Sequence, residues 1–298
     1  IYIYYKMIGV ANKSSINKSI NKSIINKSII NKSSINKSST KKNNNRSFNA
    51  TNICLIKKPS MLRNNNRFPL FEYEGGSGFK TVKFTLKQNE EIRADGGAMN
   101  YMSSAIKIKT ESGSIFNGVS RMFSGESFFY NIFYNNTSIP RDVTFSGINP
   151  GNIGCFYIPA NKSFNIVSNS YICSTTNLDV NTNFRSGGII LGYGLAFVNI
   201  TAKTSSGLIW GSSFGDVIEK IIQPGDSIKI DNGVLLGFEA NIEIKTNSVG
   251  GLKSTLFSGE GLVSQITNKG IKPMRIFLES RSKIAYIKYI QNIAGPRK

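Results

Sequence analysis

Two carboxylates in matched surroundings are the first residues in this chain that could do chemistry. Glu126 sits in RMFSGESFF (residues 121–129) and Glu260 in TLFSGEGLV (255–263). Two such acids, brought together, would serve as general acid and general base. Their neighbours favour a structural role. Glycine grants a positive φ or a close approach, and Ser and Glu hydrogen-bond backbone groups that a bulge or turn leaves free. A motif repeated in equivalent copies marks fold geometry more often than duplicated catalysis. Neither Glu126 nor Glu260 is therefore assigned as catalytic.

The other candidates are weaker. Gly192-Tyr193-Gly194 opens like a dinucleotide loop, but Phe197 stands where the third glycine belongs and no helical period follows. Gly75-Gly76-Ser77-Gly78 lacks the Gly-Lys-Ser/Thr ending of a phosphate loop. Histidine is absent, which removes the commonest general base, the commonest zinc ligand and any Ser-His triad. Cys54, Cys155 and Cys173 show no Cys-x-x-Cys spacing and read as reduced, mostly buried thiols. Trp210 reads as core, with ligand stacking the alternative. Phe128, Phe129, Tyr130, Phe133 and Tyr134 form an aromatic run that suits a core or an oligomer contact. Phe128, Tyr130 and Ile132 would share one strand face. No catalytic, cofactor-binding or metal-ligating residue is assigned, and no cofactor is expected.

The elements that hold these residues are strands. Val82, Phe84 and Leu86 alternate with Thr81, Lys83, Thr85 and Lys87, as a half-buried strand requires. Ile228 with Ile230, and Ile242 with Ile244, do the same. Pro150-Gly151, Pro224-Gly225 and Asp231-Asn232-Gly233 are turn signals. A shift of 136 positions lays residues 88–110 over 224–246 without a gap. Ile92, Asp95, Gly97, Ile106, Ile108, Lys109 and Thr110 then meet Ile228, Asp231, Gly233, Ile242, Ile244, Lys245 and Thr246. A fainter copy lies between them: with a shift of 64, Phe164, Ile166, Tyr171, Leu178, Val180 and Thr182 meet Ile228, Ile230, Leu235, Ile242, Ile244 and Thr246. The expected fold class is all-β, a β-sandwich or barrel-like body of tandem related β-units with pseudo-threefold character. In residues 281–294, Ile284, Ile287, Ile290 and Ile293 recur every three positions, and Gly295-Pro296 follows. That predicts a short amphipathic helix, packed on the β body, with membrane-surface contact as the alternative.

Charge divides the chain. Of 37 Lys and Arg, fourteen fall in residues 1–71 with no acid among them, so the remaining 23 basic and 17 acidic residues leave the body at +6. Residues 12–38 are low complexity, with Asn-Lys-Ser beginning at 12, 17, 21, 26, 31 and 36. Such a segment buries too little apolar surface to offset its ordering entropy. The expected organisation is a disordered basic tail over 1–70 and one β-rich domain over 71–298. The tail has three readings: a run of glycosylation sequons, a transit peptide, or repeat expansion in an Asn/Lys/Ile-biased genome. The transit reading suits the acid-free, Ser-rich composition but not its shortage of Arg. Ile1 opens the chain, with Met7 and Met61 as internal starts. The uncharged stretch Ser186–Ala202, with glycines at 187, 188, 192 and 194, is shorter than the ~20 residues a membrane span needs and reads as two strands joined at a Gly-rich turn.

GGAMNYM (96–102), SRMFSGESFF (120–129), GYGLAFVNITAKTSSGLI (192–209), QPGDSIKIDNGVLLGFE (223–239) and GGLKSTLFSGEGLV (250–263), in that order, resemble the AIM-twenty-four (AIM24) type mitochondrial biogenesis family. FLESRS (277–282) and the basic helix after it are similar to that family's ending. The resemblance implies a fold similar to the tryptophan RNA-binding attenuator protein and no established enzyme activity. It implies a mitochondrial, peripheral inner-membrane location, with a cytoplasmic one as the alternative. The expected function is that of a non-enzymatic structural or assembly protein that forms a homo-oligomer and contacts inner-membrane complexes. Two further readings stand beside it: nucleic-acid or anionic-lipid binding through residues 1–70, and a cryptic enzyme using Glu126, Glu260 or a nearby Lys. Fold alone does not import RNA or tryptophan binding.

Overall fold

The computed structural model describes residues 50–62, 67–76, 78–111, 130–181, 197–240, 242–248 and 262–294. Two strands come first, β1 (Cys54–Ile56) and β2 (Leu70–Glu74). A set of six follows: β3 (Thr81–Leu86), β4 (Glu91–Asp95), β5 (Met99–Met102), β6 (Lys107–Glu111), β7 (Tyr130–Tyr134) and β8 (Arg141–Phe145). The second set is β9 (Ile153–Ile158), β10 (Lys162–Val167), β11 (Tyr171–Ser174), β12 (Asp179–Asn181), β13 (Phe197–Ala202) and β14 (Gly207–Ser212). The third is β15 (Val217–Ile222), β16 (Ser227–Asp231), β17 (Leu235–Glu239), β18 (Ile242–Ser248), β19 (Leu262–Asn268) and β20 (Met274–Glu279). Helix α1 (Lys283–Ala294) comes last. The chain is thus mostly β, as its alternating apolar residues require: Val82, Phe84 and Leu86 are wholly buried and the residues between them are half-exposed.

The three sets share local geometry as well as order. Their first strands begin at Thr81, Ile153 and Val217, offsets of 72 and 64 that sum to 136. At these same offsets Asn89, Asn161 and Gly225 take left-handed φ values of 65°, 61° and 81°. Only Gly, Asn and Asp adopt that conformation cheaply. Each turns the first strand into the second and donates its N–H to the end of the fifth, to the carbonyls of Asn135, Ala202 and Asn268. Where the third strand meets the sixth, the register slips between Met99 and Tyr101, between Tyr171 and Cys173, and between Leu235 and Gly237. A bulge at one relative position in each set bends the strand alike each time.

Within a set, strands one, six and three form one sheet and strands two, five and four another. The second strand of one set then pairs with the third strand of the next, β4 with β11 and β10 with β17. The results are a seven-stranded sheet, β1-β9-β14-β11-β4-β7-β6, and a six-stranded one, β12-β13-β10-β17-β20-β15. A four-stranded sheet, β2-β3-β8-β5, and a three-stranded one, β16-β19-β18, take up the other described strands.

Sheets packed face to face bury the inner side chains of both, and three clusters result. The first joins Phe84, Ile92, Phe133 and Phe145 to Cys155, Cys173 and Trp210. The second gathers Phe156, Phe164, Ile166, Val198, Ile200 and Phe277. The third holds Ile222, Ile230, Leu235, Ile266, Ile276 and Leu278.

The body reaches further back than residue 71. β1 pairs with β9, and Ile53, Ile56, Leu62 and Phe68 are buried. The terminal helix lies within the expected 281–294, but no residue of Lys283–Ala294 is buried. The expected packing on the body is confined to its first turn.

Candidate functional site

Several residues that could do chemistry have other duties. Trp210 is fully buried, with ring centroids 5.0 Å from Phe71 and 4.8 Å from Phe84, both edge-on. It is core, not a stacking platform. Cys155 and Cys173 pair in register with Trp210 on either side. Burial pushes both thiols well above their ordinary pKa, which makes them poor nucleophiles. Cys54 is half-buried, and burial raises its thiol as well. Tyr130, Ile132 and Phe133 are buried, Phe133 against Phe145 at 4.9 Å. Glu126, Glu260, Phe128, Phe129, Ser77 and Gly192-Tyr193-Gly194 lie outside the described residues, so the structure does not place the paired Ser-Gly-Glu motifs. Gly75 and Gly76 make the turn from β2 to β3.

Two strand edges stand out instead. In the second and third sets the third strand pairs back onto the preceding set; in the first and second sets the second strand pairs forward onto the next. β5 and β16 occupy these positions at the two ends of the series. Among the described residues each is hydrogen-bonded on one side only, β5 to β8 and β16 to β19. β5 is exposed along Met99, Asn100 and Tyr101. Its Tyr101 hydroxyl donates to Glu74, which also pairs with Lys83 at 3.0 Å. On β16, Ser227 and Lys229 face solvent and Ile230 enters the core. Unpaired N–H and C=O groups along such an edge are a template for another strand. No sequence period announces this. β4 and β11 lie some eighty residues apart, and local pattern carries no information about so distant a partner.

At the far end of the third set, Glu279 is 3% exposed and takes the Lys283 ammonium at 2.9 Å. Lys283 also donates to Ser170 Oγ at 3.1 Å. Burial pushes the Glu279 carboxyl up and Lys283 opposes that shift. Asp231 caps its turn by accepting from the Gly233 N–H at 2.7 Å. Gly233 in turn lies under the start of α1: a Cβ there would come within 2.4 Å of Ser282 Oγ. Tyr286 meets Phe214 with ring centroids 5.2 Å apart. These contacts fasten the first turn of the helix and leave the rest standing clear.

A cleft of about 340 Å³ opens beside Arg67, Phe68, Glu90, Glu91, Asn177 and Ser206. Polar and apolar atoms line it about equally, and the Glu90 carboxylate is used locally, accepting from the Lys87 N–H at 2.8 Å. Among the described residues no three His, Cys, Asp or Glu side chains gather to hold a metal ion. No described helix is long and apolar enough to cross a membrane.

Fold and edges together define a tandem β-sandwich protein whose sheets are shared between successive units. The chain belongs to the family described as Mitochondrial biogenesis AIM24, whose model matches residues 71–281. A crystal structure of a Streptococcus pyogenes protein has the same fold, with a TM-score of 0.58 and 18% identity, over 75% of this chain and 98% of the streptococcal one. No curated protein sequence matches the chain.

Proposed function

We propose that the protein is a non-enzymatic structural component that assembles with copies of itself by joining β16 of one copy to β5 of the next. One observation carries this reading: among the described residues the same kind of pairing is made twice, β4 with β11 and β10 with β17, and β5 and β16 are the strands in the matching places that stay unpaired. The two internal pairings specify the register of the third. Cys173 faces Ala94 in one, and Gly237 faces Ile166 in the other. Moved by the set offsets, both put Tyr101 opposite Ile230, and both put Met102 opposite Lys229. Such a head-to-tail contact is heterologous and closes into a ring or runs on as a filament.

The test is a mixed crosslink. Tyr101→Cys and Ile230→Cys chains, mixed under mild oxidation, form a covalent pair, since directly opposed antiparallel residues bring Cβ atoms about 4.5–5.5 Å apart. Each variant alone gives none. A chain that light scattering finds monomeric at every concentration, with no crosslink on mixing, defeats the proposal.

The family name supports a mitochondrial setting, and peripheral support of inner-membrane complexes is the role that fits an assembling scaffold. Imaging a tagged chain with and without residues 1–60 tests this. Import that depends on those residues supports it, and diffuse signal from both chains removes it. A second reading rests on the fourteen basic and no acidic residues of 1–71. These would hold nucleic acid or anionic lipid through phosphate contacts with steep salt dependence. Equal binding by the full chain and by residues 50–298 at two salt concentrations overturns it.

A further inference from the structure

The helix α1 presents an apolar face that the body does not cover. At about 100° per residue, Tyr289, Ile293, Tyr286, Ile290 and Ile287 fall within an arc of roughly 160°. Lys288, Asn292 and Ala285 take the opposite side. Ile287 is 55% exposed, Ile290 44%, Ile293 65% and Tyr289 59%. Large apolar side chains gathered in this way on one helix face mark a docking surface.

Three observations choose the occupant. The first is charge. After Glu279 the sequence has Arg281, Lys283, Lys288, Arg297 and Lys298 and no acid. A second copy presents a body of net charge +6 and the basic residues 1–71, both of like sign to the segment after Glu279, whereas an anionic lipid surface attracts that segment within a Debye length. The second is size. Five apolar side chains on three turns fall well short of the roughly 20–30 residues a side that a stable protein interface uses. The third is composition. Isoleucines beside two tyrosines suit the boundary between headgroups and acyl chains, where an amphipathic ring has one wet end and one dry. Twelve residues make a rod of about 18 Å, too short to span a bilayer but long enough to lie in its surface.

We propose that α1 is a membrane-surface anchor that lays Ile287, Tyr289, Ile290, Ile293 and the outer edge of Tyr286 into the headgroup boundary of an anionic bilayer. The Lys283–Glu279 pair and the Tyr286–Phe214 contact hold its first turn on the body, so the helix brings the β sheets to the membrane with it. The anchor acts independently of the β5–β16 contact and of the basic segment at the other end of the chain.

Vesicle flotation of the full chain tests it, comparing phosphatidylcholine alone with phosphatidylcholine containing phosphatidylserine. The full chain floats with the anionic vesicles. The double variant Ile290→Asp, Ile293→Asp binds them at least tenfold more weakly, while blue-shifted Trp210 emission reports an intact core. Because the basic segment is unchanged in that variant, undiminished binding overturns the proposal and assigns any affinity to that segment. A second readout separates insertion from mere attraction. In Tyr289→Trp, lipids brominated on the acyl chain quench the new emission on anionic vesicles. Absence of quenching, or a full chain that does not float at all, equally overturns it.

Discussion

Replacing Asn135 by Ala will destabilise the protein by about 2–3 kcal/mol, and replacing Asn268 will cost the same. Both side chains are completely buried. Asn135 Nδ2 donates to the carbonyls of Leu86 at 2.9 Å and Ile139 at 2.8 Å, and its Oδ1 accepts from the Thr137 N–H at 2.9 Å and the Thr137 hydroxyl at 2.7 Å. Asn268 Nδ2 donates to Ile222 and Lys272 at 2.9 and 2.8 Å, and its Oδ1 accepts from the Gly270 N–H at 2.8 Å. Truncation orphans two carbonyls and one N–H at each site. A buried group left without its partner costs about 1–3 kcal/mol. A water entering the vacated space re-satisfies part of this and brings the three-group total of about 3–9 kcal/mol down to about 2–3 kcal/mol.

The comparison between sites is sharper than either value. The second set has Ala202 where the others have asparagine, yet keeps the turn bond from Asn161. Its link to the next strand is one residue shorter: six positions separate Asn135 from Arg141 and Asn268 from Met274, but five separate Ala202 from Gly207. The amide thus ties down the longer loop and is not needed for the shorter one. Urea unfolding followed by Trp210 emission should lower the midpoint for both Asn→Ala variants with little change in slope. Ile148→Ala, at a residue 80% exposed, should stay within about 0.5 kcal/mol of the parent. If either asparagine variant behaves like Ile148→Ala, or if the two differ by more than about 1.5 kcal/mol, the equivalence of these sites fails.

Other substitutions probe other parts of the body. Lys283→Met should cost about 3 kcal/mol, because Glu279 would keep its burial and lose its cation; adding Glu279→Gln should recover most of that in a double-mutant cycle. Burial raises Asp95 to about 6 from 3.8, so the fold prefers its protonated form. Its contribution is therefore full below pH 3.8 and is lost as pH rises through about 6. Asp95→Asn should raise stability at pH 7.5 by about 1–2 kcal/mol, after a discount for partial exposure, and leave it unchanged at pH 3.5, as thermal melts at the two pH values would show. Trp210→Phe should cost about 1–3 kcal/mol by denaturant unfolding followed by circular dichroism. The loss comes from volume alone, because Trp210 Nε1 has no hydrogen-bond partner to lose.

Much of the fold is legible in the sequence because its signals are local. Alternation at Val82, Phe84 and Leu86 specifies a strand with one buried face, and the ungapped match of 88–110 with 224–246 predicts which elements correspond. Even the faint middle copy, Phe164, Ile166, Tyr171 and Leu178, falls on buried positions of β10, β11 and the turn before β12. The asparagine pair escapes such a reading. Asn135 and Asn268 are 133 apart whereas the first strands are 136 apart, so three residues lost in the intervening stretch take them out of register. The aromatic run suits a core or an oligomer contact from sequence alone. β7 lies between β4 and β6 and places Tyr130 and Phe133 in the core. In α1 the three-residue isoleucine spacing gives the helix but not its surroundings. What covers a helix face depends on the whole body, and here the body covers only the first turn.

The sharing of sheets between sets explains why function should be sought at the ends of the series. The second strands of the first and second sets pair with the third strand of the set that follows, β4 with β11 and β10 with β17. Loss of the first set would expose β11, loss of the third would expose β10, and loss of the second would expose both β4 and β17. First strands meet a parallel need: β3 is flanked by β2 and β9 by β1, both from residues ahead of the first set, while β15 has no such cover. Among the described residues two extra strands thus cover the first strands of two sets, and none covers β15, β5 or β16. Among the edges left open in the described residues, β5 and β16 are the pair whose places in their sets match the internal β4–β11 and β10–β17 pairings, and an edge of that kind can accept an added strand.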